Sequence, residues 1–242
     1  MVIELSDIIF TDQDDVVPVS GVAQIFNTRV ANTLDNDDFI TSYGGFSNSG
    51  VVFLGEGNDS LIGEADLPND RAIENFNVID TGNGDDYIST YSHLYNEGII
   101  NTGNGNDSIY SRFIYNNGGA IITGNGKDSI YTMDGFESDP NSSGSVFLGE
   151  DRDYLHGFGS GDFYGGNGYD ILNFSQAPGT YTVGIGGEGP DTSVIFTKGS
   201  QIMITSEFEL LINVGELYNF ASLYHFFKDV IEIKNVKSKA IR

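Results

Sequence analysis

A short phrase built from glycine, asparagine and aspartate recurs along the chain. Clean copies are Leu54-Gly-Glu-Gly-Asn-Asp59, Thr81-Gly-Asn-Gly-Asp-Asp86, Thr102-Gly-Asn-Gly-Asn-Asp107, Thr123-Gly-Asn-Gly-Lys-Asp128 and Gly165-Gly-Asn-Gly-Tyr-Asp170. Leu148-Gly-Glu-Asp-Arg-Asp153 has Asp151 in place of the second glycine, and Thr33-Leu-Asp-Asn-Asp-Asp38 replaces both glycines with Leu34 and Asn36. Thr11 to Asp15 reads as a still earlier, shortened copy. A Gly-x-Gly turn exposes its backbone carbonyls because no side chain shields them. One aspartate per turn adds a carboxylate. Carbonyl and carboxylate oxygens are the donor set of a hard cation that takes 6–8 oxygens.

The spacing says what must position these turns. The final aspartates at 38, 59, 86, 107, 128, 153 and 170 are separated by 21, 27, 21, 21, 25 and 17 residues. A basal period near 21 with insertions fits. Two residues after each aspartate stands an aliphatic residue: Ile40, Leu61, Ile88, Ile109, Ile130, Leu155 and Leu172. Two residues before each phrase stand Ala31, Val52, Ile79, Ile100, Ile121, Val146 and Phe163, six of them β-branched or aromatic. A period-2 apolar signal on both sides of a fixed turn predicts strand, turn, strand. No single unit can bury its apolar residues alone, so the units stack. The expected fold is all-β: a right-handed parallel β-solenoid of about 21 residues per coil, with two short strands per coil and variable turns at Gly63 to Phe76 and Asp134 to Ser145.

At these residues the chain resembles the haemolysin-type calcium-binding repeats, the RTX or β-roll family, whose nonapeptide reads Gly-Gly-x-Gly-x-Asp-x-(aliphatic)-x. Gly165-Gly-Asn-Gly-Tyr-Asp-Ile-Leu-Asn173 matches it in full, and the other copies replace the first glycine by Thr or Leu. The resemblance covers about residues 30 to 175, and Leu172-Asn-Phe-Ser-Gln-Ala-Pro-Gly is similar to the exit from such repeats. It implies Ca2+ held between turns of neighbouring coils. Carried over, the side-chain ligands are Asp59, Asp86, Asp107, Asp128 and Asp170, with Asp153 a weaker one and Asp38 weaker still. The implied backbone contributors are Gly55, Gly57, Gly82, Gly84, Gly103, Gly105, Gly124, Gly126, Gly166 and Gly168. The family has calcium turns on both edges, whereas here only Gly157-Phe-Gly-Ser-Gly-Asp162 offers a second turn of that kind, so fewer sites are expected. The competing reading is a metal-free turn that merely closes each coil. Stacked aspartates would repel there, which favours the cation.

Composition agrees with a cation-binding chain. Of 242 residues, 35 are acidic and 11 basic, a formal net charge of −24. That field disfavours nucleic acid and anionic lipid as partners. There are 32 glycines, 23 aspartates and 22 asparagines, which is turn chemistry. Cysteine is absent, so neither disulfides nor thiolate metal sites arise, and His93, His156 and His225 lie far apart, against zinc or copper. Gly124-Asn-Gly-Lys127 lacks the Ser/Thr of a P-loop, and no Gly-x-Ser-x-Gly elbow occurs. No apolar run approaches the ~18 residues of a transmembrane helix, and Met1 to Val19 is not a Sec-type signal peptide.

The expected organisation is a calcium-binding solenoid over 1–175 and a C-terminal cap over 176–242. Thr180 to Thr205 alternates weakly, as antiparallel strands closing the solenoid would. Leu217, Phe220, Ala221, Tyr224, Phe227 and Ile231 follow helical spacing and predict an amphipathic helix. Residues 228–242 hold five basic residues against Asp229 and Glu232, a tail read as solvated, docking or export-related. The leading function is a non-enzymatic, calcium-binding scaffold or adhesive module of an exported bacterial protein, extracellular or at the cell surface, with calcium and another protein or a surface component as partners. Alternatives are a non-catalytic subunit docked through the C-terminal region and an accessory domain of an exported hydrolase. A surface ladder of Thr81, Thr102 and Thr123 with Asn83, Asn104 and Asn125, as in ice-binding solenoids, is a further reading.

Overall fold

The computed structural model of the protein describes residues 1–18, 24–65, 70–177, 179–186, 193–213, 216–219 and 231–233. Two sheets, A and B, run the length of a parallel β-solenoid of about eight turns, with 14 and 11 strands among the described residues. One coil shows the path. Val78–Asn83 lies in sheet B and ends within the Gly82-Asn-Gly84 turn, and Tyr87–Asn96 lies in sheet A. A short turn at Glu97 and Gly98 then leads to Ile99–Asn101, back in sheet B. Every copy of the phrase repeats this crossing, because each has an inward apolar residue on both sides of the turn.

The expected apolar columns line up. Ile88 pairs with Leu61 and Ile109, Ile109 with Ile130, and Ile130 with Leu155. On sheet B, Ile79 pairs with Val52 and Ile100, and Ile121 with Val146. All fourteen column residues named from the sequence are buried, none more than 2% exposed. Burying each Val, Leu, Ile or Phe side chain among them contributes about 1.5–3 kcal/mol.

Three sheet-A strands differ from expectation. Tyr87–Asn96, Ser108–Asn116 and Ser129–Glu137 run 9–10 residues, whereas the other described strands of that sheet are short. A second inward column runs through the three long strands and through the shorter strands Gln24–Asn27, Phe46–Asn48 and Arg71–Asn75: Ile25, Phe46, Ile73, Leu94, Ile114 and Phe136, all buried. The register shifts between Thr90 and His93 and between Ser111 and Phe113, so bulges stack from coil to coil and divide sheet A into two halves. The segment Gly63 to Phe76 is therefore not an edge turn. Its extra residues enter at the bulge, between Ser60–Gly63 and Arg71–Asn75, and both strands pair with Tyr87–Asn96. The insertion before Ser145 instead follows Glu137 and does sit at an edge.

Both sheets continue past the last clean phrase. Gln201–Ser206 pairs in parallel with Gly161–Gly168, and Leu210–Asn213 with Ile171–Asn173. Antiparallel pairing begins there, in Tyr181–Gly186, Ser193–Lys198 and Gln201–Ser206 on one side and Leu210–Asn213 with Glu216–Asn219 on the other. The ends of the expected helix are strands: Leu217 lies in Glu216–Asn219 and Ile231 in Ile231–Ile233. Phe220 to Phe227 and the basic tail after Ile233 lie outside the described residues.

Candidate metal centre

The turn geometry explains the glycines. Gly55, Gly57, Gly82, Gly84, Gly103, Gly105, Gly124, Gly126 and Gly166 all have positive φ. A Cβ on Gly82 would stand 1.9 Å from the Gly55 carbonyl oxygen, and one on Gly84 1.6 Å from that of Gly57. The turns therefore stack backbone on backbone. Gly168 has no positive φ but the same crowding, with the Asp151 oxygen 1.4 Å from its would-be Cβ. Degenerate copies adopt the same turn: Leu34, Asn36 and Asp151 sit at φ of 80°, 81° and 83°. A non-glycine residue there costs about 1–2 kcal/mol.

Packing this close turns the aspartates inward. Asp38, Asp59, Asp86, Asp107, Asp128, Asp153 and Asp170 are all buried, at most 2% exposed. In each, Oδ1 accepts the backbone N–H of the aspartate one coil earlier. Asp59 N–H donates to Asp86 Oδ1, Asp86 N–H to Asp107 and Asp107 N–H to Asp128, each at 2.8 Å. Asp15 heads this ladder, donating to Asp38 at 2.8 Å, and Glu209 ends it, accepting from Asp170 at 2.6 Å. The partner steps are 21, 27, 21, 21, 25 and 17 residues, as the sequence implies. Asp38 and Asp153, which the sequence ranks as weak, stand in the same ladder as the rest.

The other carboxylate oxygen has no partner. Oδ2 of all seven aspartates is buried without a hydrogen bond. Desolvation, opposed by the backbone hydrogen bond and reinforced by neighbouring carboxylates, pushes Asp59, Asp107 and Asp153 up to about 7. Burial likewise raises Asp86 and Asp170 to about 6, and Asp38 and Asp128 upward. Thr33, Thr81, Thr102 and Thr123 moderate the rise in their own coils. Their hydroxyls donate to the carbonyl of the next coil, as Thr123 does to Leu148 at 2.7 Å. These threonines are fully buried, which overturns the ice-binding surface ladder.

The donors suit a hard cation in kind: orphan carboxylate oxygens beside unshielded turn carbonyls. The arrangement limits how they could serve. Among the described residues no three His, Cys, Asp or Glu side chains lie close enough to share an ion, so carbonyls and water would complete any shell. Two of the glycine carbonyls are engaged in stacking: Gly82 oxygen accepts the Asn104 N–H and Gly103 oxygen the Asn125 N–H, both at 3.0 Å. Asp162 forms no second column, since it pairs with Ser145 and Ile204. His93 and His156 pack against rings, His156 stacked on Tyr131 at 4.1 Å and His93 edge-on to Tyr115 at 5.3 Å.

Sequence reasoning missed the ladder on the opposite edge. Buried Asn27, Asn48, Asn75, Asn96 and Asn116 bond side chain to side chain, Nδ2 to the next Oδ1, at 2.8–2.9 Å. Their steps of 21, 27, 21 and 20 residues echo the aspartates and were the available signal. On the solvent side of the turns themselves, Asn125 Nδ2 donates to Asn104 Oδ1 and Asn104 Nδ2 to Asn83 Oδ1, an exposed rail. No protein-family model, curated protein or solved structure matches the chain.

Proposed function

We propose that this chain is a non-catalytic β-solenoid scaffold whose coils are tied together by calcium at the aspartate column, and that it works outside the cell as an adhesive or assembly module. The observation that carries the reading is the row of seven buried Oδ2 atoms without partners. A buried, unpaired carboxylate costs several kcal/mol unless a cation or a proton answers it. Calcium, with oxygen ligands and flexible geometry, answers it without demanding a third carboxylate. The net charge of −24 concentrates cations around the rod.

One observation favours a metal-free state as well. The Oδ1 ladder is complete without an ion, and the raised pKa values let protons take the place of metal. The two readings separate on pH. Thermal melts with calcium, magnesium and chelator at pH 5 and pH 8 test them. A calcium-specific rise in Tm at pH 8 that shrinks at pH 5 supports the calcium reading. Melts that do not respond to calcium at either pH overturn it.

A further inference from the structure

The two insertions in the repeat border one groove on the outer face of sheet A. Arg71, directly after the first insertion, lines a cleft of about 610 Å3 with His93, Tyr95, Phe113, Tyr115 and Asp134. Tyr95 and Tyr115 also wall a second cleft of about 360 Å3, whose far side is the second insertion at Ser138, Asp139 and Pro140. The stacked bulges lie beneath, where a strand bends and re-aims its side chains. In repeat proteins, insertions collected on one face commonly mark the binding face.

The groove's chemistry is specific. Its rings are splayed rather than stacked flat: Phe113 and Tyr115 are tilted by 42° at 4.6 Å, and His93 meets Phe113 at 62°. The Arg71 guanidinium lies 3.9 Å from the Tyr95 ring centre. Two of the three ion pairs among the described residues sit here, Arg71 with Glu74 at 2.9 Å and Arg112 with Asp134 at 2.7 Å. Ring faces and paired guanidinium–carboxylate groups answer a ligand with apolar C–H faces and a rim of hydroxyls. The arginines are already matched by carboxylates, and the chain carries −24, so an anionic ligand is disfavoured.

We propose that this groove binds a neutral oligosaccharide lying across Tyr95 and Tyr115 from one insertion to the other. It uses none of the column aspartates, so it stands or falls apart from the calcium reading. Calorimetry with cellohexaose, xylohexaose, mannohexaose and chitohexaose tests it, with an oligogalacturonate as the charged contrast. At least one neutral hexasaccharide binds. Tyr115→Ala weakens that binding about tenfold or more, equivalent to about 1.4 kcal/mol. Tyr115→Phe retains it, and Phe147→Ala, on the opposite sheet, leaves it unchanged. Circular dichroism confirms that each variant is folded. No binding of any neutral hexasaccharide at about 10 mM, a level that detects even weak affinities, overturns the proposal. So does binding of the oligogalacturonate alone. Self-association abolished by Tyr115→Ala, without sugar binding, would assign the groove to a second copy and overturn it equally.

Discussion

Asp107 stands at the centre of the column, giving Oδ1 to Asp86 N–H and leaving Oδ2 unpartnered. Asp107→Asn keeps an acceptor for that N–H and removes a buried charge. In chelator at pH 8 the variant is expected to be more stable than the parent by about 1–3 kcal/mol, because the amide carries no buried charge even though its Nδ2 takes the unpartnered place of Oδ2. Its calcium-induced gain is expected to be smaller. Paired denaturant titrations with and without calcium measure both, and a variant destabilised in chelator while keeping the full calcium gain would contradict this account. Asn96 poses the opposite case, because its amide is fully used, bonded to Asn75, to Asn116 and to the Ala120 carbonyl. Asn96→Ala removes the donor to Asn116 Oδ1 and the acceptor shared by Asn75 Nδ2 and Gly98 N–H, and is expected to cost about 2–4 kcal/mol, independent of metal. The aspartates were legible because each stands once per coil beside glycines that announce a turn. The asparagines were not, since asparagine reads as loop chemistry, and it is tolerated at full burial only because the adjacent coil completes its bonds.

At the scale of the element, the turn is set by backbone contact. Gly84→Ala places a methyl group into the Gly57 carbonyl, 1.6 Å from its oxygen, and is expected to abolish cooperative unfolding. Leu34→Gly relieves a left-handed residue with a large side chain and is expected to stabilise by about 1 kcal/mol, read from the denaturation midpoint. The solenoid and its two apolar columns could be read from the spacing alone, since inward residues recur at fixed offsets from each aspartate. The long sheet-A strand could not. A period counts extra residues without saying where in the coil they enter, and the bulge hides the second column by shifting the alternation between Thr90 and His93. The last coil was hidden because Glu209 follows Asp170 by 39 residues, outside any step of the series. Helical spacing was read from Leu217 to Ile231, and the two described ends of that span, Leu217 and Ile231, lie in strands.

For the whole molecule, the column makes stability a function of pH. The folded pKa values of about 6–7 lie above the unfolded aspartate value near 3.9, so the folded chain holds protons that the unfolded chain releases. That contribution is fully present below about pH 4 and is lost as pH rises through the folded values, to about pH 7. Without metal, Tm is therefore expected to fall between pH 4 and pH 8, and a melt that stays flat or rises across that window would show that the carboxylates are not held as described. The net charge of −24 steepens the loss at low salt.

The buried ladders also have a direction. Aspartate N–H, buried asparagine Nδ2 and threonine hydroxyl each donate to the coil that follows in sequence, whereas the exposed rail of Asn83, Asn104 and Asn125 donates to the one before. A chain emerging N-terminus first, from a ribosome or a pore, thus presents at every moment a newest coil whose donors are bare until one more repeat arrives. Order advances behind the exit point like a ratchet whose teeth engage one repeat late, and Glu209 is the pawl that closes it.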